Sequence, residues 1–106
     1  MSGVEVFNEA WDFCEGYARV CKDAKYNHIS TDGKLLSEKW WDVAWDFREG
    51  YAAVRKDGKF NHIGTDGKLL FDEWWDYAGQ FFNGYTMVRK VDKWYEIDAK
   101  GKVTEL

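Results

Sequence analysis

A chain of 106 residues is one domain's worth and buries only about two-thirds of its unfolded surface, and its seven Trp, six Tyr and seven Phe are too many for a disordered segment. Its 19 acids against 15 Lys plus Arg leave a net charge of -4, which argues against a nucleic-acid backbone as main partner, since that affinity comes from Lys and Arg neutralising phosphates. No apolar run approaches the roughly 18 residues of a membrane helix, and MSGVEVF has neither the basic start nor the apolar run of a signal peptide, so a soluble, cytoplasmic chain without membrane contact is expected.

From the amino end, VFNEAWDF (Val6 to Phe13) is the first of three versions of one segment, followed by WWDVAWDF (Trp40 to Phe47) and WWDYAGQF (Trp74 to Phe81). Each leads to a Gly-Tyr pair, at Gly16-Tyr17, Gly50-Tyr51 and Gly84-Tyr85, and Val20, Val54 and Val88 keep the same spacing of 34, as do Ile29, Ile63 and Ile97. Cut at Glu5, Lys39 and Glu73, the chain divides into a four-residue leader and three units, 5–38, 39–72 and 73–106, with nothing left over. It therefore reads as a complete array forming a single domain, 1–106. Helix-pair repeats share this period, but helices need apolar residues at i, i+3, i+4 and i+7, and each recurring Gly would cost about 1 kcal/mol against Ala.

Within a unit the first predicted element is a strand, YAAVRK (Tyr51 to Lys56), with Ala52 and Val54 on one side and Tyr51, Ala53 and Arg55 on the other. KDGK (Lys56 to Lys59) is a hairpin turn whose Asp-Gly pair supplies the positive φ values of type I′; Ala24 replaces that Gly in the first copy, which leaves its turn type open. The second strand, KFNHIGT (Lys59 to Thr65), carries Phe60 and Ile63 on opposite parities, implying either two covered faces or a bulge. TDGK makes the next turn at Thr31 to Lys34 and Thr65 to Lys68, with AKGK at Ala99 to Lys102. LLSEKWWDVAWDF (Leu35 to Phe47) reads as a third strand ending in a tight turn at Glu49-Gly50, with a short helix as the alternative. The fold class is thus all-β, three tandem 34-residue β-hairpin repeats, stacked or arranged with pseudo-threefold symmetry.

Aligned, the unit reads F-x-x-G-Y-A/T-x-V-x-K-x-x-K-aromatic-x-x-I-x-x-x-G-K. This resembles the WG β-repeat, also called the KWG repeat, of bacterial repeat proteins, whose unit runs F-x-E-G-x-A-x-V, then G-K-W-G-Y-I-D, then G-K. The likeness runs from about Val6 to Val103, with FREGYAAV and Asp66-Gly67-Lys68 matching closely. Asn27, Asn61 and Tyr95 stand where the family's second Gly is expected; Asn tolerates left-handed backbone and would keep that role, whereas Tyr95 would not. The resemblance implies stacked hairpins used outside catalysis and brings no catalytic residues.

Candidate sites follow from the aromatic excess. Tyr17, Tyr51 and Tyr85, with Arg19, Arg55 and Arg89, form a ladder opposite the Ala-Val row, and Tyr and Arg are favoured anchors of protein interfaces. In the pairs Trp40-Trp41 and Trp74-Trp75 neighbours point to opposite sides of a strand, so one of each is expected to be partly exposed or to lie between units. With acids beside them, such clefts suit a cation, sugar or nucleotide. His28, His62 and Glu96 occupy equivalent positions and have zinc-ligand chemistry, but duplication explains their spacing, so they are expected to be surface residues and no metal is assigned. Cys14 and Cys21 align with Arg48 and Arg55, which predicts exposed, reduced thiols. No nucleophile or phosphate motif is present, and the paired acids are replaced in the third copy, so no catalytic residue and no cofactor are assigned. The expected function is a non-catalytic protein-binding repeat module, an adaptor or a phage or mobile-element inhibitor of a host protein. The alternative is a small-ligand binder using the Trp- and Tyr-lined clefts.

Overall fold

The computed structural model describes residues 7–106, all of them strand, turn or irregular chain with no helix. The strands are β1 (Glu9–Cys14), β2 (Tyr17–Lys22), β3 (Lys25–Ser30), β4 (Val43–Ala44), β5 (Tyr51–Lys56), β6 (Lys59–Gly64), β7 (Tyr77–Ala78), β8 (Tyr85–Lys90), β9 (Lys93–Asp98) and β10 (Val103–Glu105). They form three antiparallel sheets, β1-β2-β3, β4-β5-β6 and β7-β8-β9-β10. The molecule is elongated, 52 × 26 × 20 Å. None of the described residues forms a helix long and apolar enough to cross a membrane.

Two-residue turns set the registers. Asp57 and Gly58 have φ of 53° and 79°, the pair of positive values that a type I′ turn needs, and Lys56 pairs with Lys59 across them. The first hairpin makes the same turn despite lacking the glycine, with Asp23 at 52° and Ala24 at 66°. In the third hairpin Val91 has a φ of 59°, a strained value for a β-branched residue. The turns before β5 and β8 follow the same rule: Glu49 and Gly50 lie at 52° and 88°, Asn83 and Gly84 at 53° and 86°.

Two open readings close. In β6 the register to β5 is continuous from Tyr51↔Gly64 to Lys56↔Lys59, so there is no bulge; Asn61, His62, Ile63 and Gly64 are all buried, and both faces are covered. Between Leu35 and Phe47 the chain is neither a full strand nor a helix. It bridges Leu35 to Ile29 and Trp41 to Tyr26 on the edge of the first hairpin, then crosses to Arg55 and Val54 as β4. A segment that leaves one sheet to join the next cannot keep a single ladder, which is why the strand shrinks to two residues.

That crossing creates the core. Trp41, Ala44 and Phe47 pack with Ala52, Val54 and Ile63, while Tyr17 and Tyr26 of the first sheet close over the cluster. Trp75, Ala78 and Phe81 do the same with Val88 and Ile97, under Tyr51 and Phe60. The Trp parity argument holds: Trp41 and Trp75 are buried, while Trp40 and Trp74 are half-buried, and Trp74 lies 6.0 Å from Trp41.

Two expectations need correction. Cys21 is buried, 7% exposed, because it sits on the central strand between Glu9 and Tyr26; Cys14 is half-buried, and both thiols are free. Asn27 and Asn61 do not replace a left-handed glycine. They are buried strand residues whose Nδ2 groups donate to Ser37 O and Lys39 O at 2.9 and 3.2 Å, and to Phe71 O and Glu73 O at the same distances, tying down the crossing segment.

The Ala24 turn generates a prediction. Ala24→Gly should stabilise the chain by about 1 kcal/mol, since a Cβ at positive φ is strained. The check is a rise in the urea midpoint at unchanged slope, with Ala18→Gly, on a regular strand, moving it the other way.

Candidate functional site

Directly opposed residues share a face of a sheet. Tyr17, Arg19 and Cys21 of β2 therefore lie with Ser30, His28 and Tyr26 of β3. The matching faces are Tyr51, Ala53, Arg55, Phe60, His62 and Gly64 in the second sheet, and Tyr85, Met87, Arg89, Trp94, Glu96 and Asp98 in the third. This is the face that carries the Tyr-Arg ladder.

In the first two sheets the ladder face is a junction. Tyr17 stacks on Phe47 with ring centroids 4.8 Å apart and donates its hydroxyl to Thr65 O at 3.2 Å. Tyr51 repeats this with Phe81 at 4.8 Å and Ala99 O at 2.8 Å. The Glu15 carboxylate accepts from the backbone N–H groups of Glu49 and Gly50 at 2.7 and 2.8 Å, and Glu49 accepts from Asn83 and Gly84, both at 2.7 Å. Asn-Gly is the preferred pair for a type I′ turn, so glutamate at φ of 53° and 52° for Glu15 and Glu49 is a poor local choice. Its carboxylate reaching the next turn compensates.

The arginines are engaged within the chain. Arg19 Nε donates to Asp46 at 2.9 Å and its guanidinium lies 4.5 Å over Trp11; Arg55 lies 5.9 Å over Phe60; Arg89 donates to Val91 O at 2.6 Å. Lys25 and Lys59 pair with Asp42 and Asp76, whose carboxylates also accept the Asp57 and Val91 N–H groups. Those hydrogen bonds, from the lysines first, hold Asp42 and Asp76 below the usual carboxylate range.

The histidines are not surface residues. His28 and His62 are fully buried, edge-on to Phe47 and Phe81 at 4.9 and 5.1 Å. Each Nε2 lies 2.7 or 2.6 Å from a carbonyl, Trp45 O or Gly79 O; a carbonyl only accepts, so Nε2 carries the proton. They are spent on the junction, and among the described residues no group of three or more His, Cys, Asp or Glu side chains is placed to hold a metal. Burial pushes both imidazoles below their ordinary 6.5.

Among the described residues, only the third sheet has an open ladder face. Tyr85 is 50% exposed, Met87 45% and Trp94 40%, with Phe82, 74% exposed, beside them. Here Glu96 replaces the junction histidine and Asn83 the clamping glutamate. An open groove of about 650 Å³ runs between these residues and Tyr77. The cleft that Trp41 and Trp74 share is flanked by Lys39, Lys56, Lys59 and Asp57, a second cleft at Trp41 by Glu38, Lys39, Lys68 and Asp72, and Trp41 itself is buried in the core. Residue-level reading missed that one face is a junction twice and a surface once; the signal was the loss of both His and Glu from the third copy.

Repeated hairpins joined by repeated contacts define a β-hairpin repeat protein. The family model described as WG containing repeat matches residues 5–26 and 29–60, just over half of the chain, and the chain belongs to that family. No curated protein and no solved structure matches it.

Two predictions follow from the junctions. Above about pH 6.5 both histidines are neutral folded or unfolded; below it the unfolded chain binds protons that the folded one refuses, so stability falls by up to about 1.4 kcal/mol per pH unit for each. Urea melts at decreasing pH should show this slope, and His62→Gln should remove about half of it; a flat profile down to the carboxylate range would contradict the burial. Phe47→Ala should cost about 3–5 kcal/mol and abolish cooperative unfolding, whereas Phe82→Ala should stay within about 0.5 kcal/mol.

Proposed function

We propose that this chain is a non-catalytic protein-binding module built as three stacked 34-residue hairpin units, 5–38, 39–72 and 73–106, in a single domain. The observation that carries the reading is the exposed ladder face of the third hairpin: Tyr85, Met87, Trp94 and Phe82 form a contiguous apolar surface, on the side where the first two hairpins are covered by the next. Aromatic and Met side chains are what protein interfaces concentrate at their centres. The reading moves the contact surface from the whole Tyr-Arg ladder to its last rung. Tyr17, Tyr51 and Arg19 hold the following unit, Arg55 lies over Phe60 within its own sheet, and Tyr85 meets the partner.

A catalytic role finds little support, because the histidines donate to backbone carbonyls and Asp42 and Asp76 accept from turn amides. An adaptor needs only a stable scaffold and a presented face, and this arrangement supplies both.

The test is site-specific photo-crosslinking in lysate of the source organism. A crosslinker at Met87 should capture a protein in defined ratio, one at the exposed Lys34 should not, and Met87→Glu or Tyr85→Ala should reduce binding of that protein at least tenfold with the urea midpoint unchanged. Capture indifferent to these substitutions, or no capture, would overturn the reading.

A further inference from the structure

The third sheet contains a slot that the other two fill. Trp11 packs on Tyr26 with centroids 5.8 Å apart and 32° between planes, and Trp45 packs on Phe60 at 5.8 Å and 31°. The corresponding pair in the third sheet is Gly79 and Trp94: the indole is missing, Tyr77 covers one side of the Trp94 ring edge-on at 5.9 Å, and that ring stays 40% exposed. The groove of about 650 Å³ lies there, with Gly79, Tyr77 and Met87 among its walls.

Two polar groups in that groove have no counterpart in the earlier copies. Glu96 stands where both others have histidine, and Thr86 where both have alanine, Ala18 and Ala52. Thr86 is only 3% exposed and its Oγ1 has no hydrogen-bond partner; a Cβ placed on Gly79 would lie 3.5 Å from that oxygen, so the hydroxyl faces the position from which the missing side chain would project. A buried hydroxyl left unpaired is costly unless something completes it.

We propose that the slot receives an aromatic side chain of a partner protein, presented beside a basic residue, its ring lying against Trp94 as Trp45 lies against Phe60. This rests on the protein-binding reading above. The packing geometry is already built twice in the chain, and Thr86 Oγ1, buried behind the Gly79 position, is left without a partner. The basic neighbour follows from Glu96, a carboxylate lining the groove; the nearby Arg89 is engaged with Val91 O, and Asp98 accepts from the Lys100 and Lys102 amides. A second copy of this chain is a poor occupant. Stacking in the way of the first two junctions would set the Glu96 carboxylate where His28 and His62 meet a carbonyl, acceptor against acceptor, and Asn83 cannot reproduce the two-oxygen clamp of Glu15 and Glu49.

The experiment titrates the full chain with the acetylated, amidated tripeptide Lys-Trp-Lys and follows backbone amide NMR shifts. Saturable shifts confined to residues 77–87 and 94–98 are expected, with Lys-Ala-Lys inert and Glu96→Gln weakening binding about fivefold, the upper end for a partly exposed charge pair. Gly79→Trp should abolish the shifts by filling the slot from within; the double variant Tyr77→Val/Gly79→Trp, which reproduces the Val43 and Trp45 pair of the second copy, covers the case in which the single one is too crowded. No saturable shift, equal binding of the alanine peptide, shifts surviving in the double variant, or concentration-dependent self-association through this face would each overturn the proposal. A partner retained by the double variant but lost with Met87→Glu would leave the protein-binding reading standing and remove the slot; a partner indifferent to Met87→Glu would remove the reading itself.

Discussion

A β-hairpin has two faces and no means of covering either, and in this chain one ring covers a face of each of two successive hairpins. Phe47 lies between Tyr17 and His28 of the sheet before it and the Ala52, Val54 and Ile63 side chains of the sheet after it; Phe81 stands in the same relation to Tyr51, His62, Val88 and Ile97. Remove the ring and two sheets lose a wall at once. The small residues around it follow from the same requirement, since Ala44, Ala52 and Ala78 leave room for aromatic groups on both sides. So does the crossing segment, which abandons its ladder to carry Trp41 and Phe47 into the gap.

Because the junctions dominate, local preferences give way to them. Glutamate occupies left-handed turn positions that asparagine would suit better, and it does so where its carboxylate can bind the next turn; where the clamp is absent, the chain has Asn83. Histidine is buried uncharged because a carbonyl of the following segment needs a donor. Asn27 and Asn61 spend their amides on tying down that segment, and Tyr95 takes their place in the third copy, packing instead against Trp75 at 5.7 Å.

Much of this was legible in the residues. The paired strands, the Asp-Gly turns and the division of each Trp pair follow from period-2 alternation and turn chemistry, which act within a few residues of each other. The burial of His28, His62 and Cys21, and the conversion of the Tyr-Arg face into a junction, were not legible in that way. They depend on what a neighbouring sheet places above a strand, and a residue's own segment carries no record of it. The informative signs were the breaks in the repeat: Gly79 where Trp11 and Trp45 stand, Glu96 for histidine, Asn83 for glutamate. Each substitution is unremarkable alone, and together they mark the one ladder face left open among the described residues.

The long-range bonds of Glu15, Tyr17 and His28 all run from an earlier sheet to a later one, and Glu49, Tyr51 and His62 repeat them in the same sense. The stack is therefore a polar object, with unlike ends, in the way that a filament subunit has a barbed and a pointed side. A middle copy carries both halves of the junction code, while the last carries only the receiving half. Duplicating the middle copy would lengthen the rod by one step and leave the chemistry of the first and third sheets unchanged, so length and end chemistry are independently adjustable in this architecture.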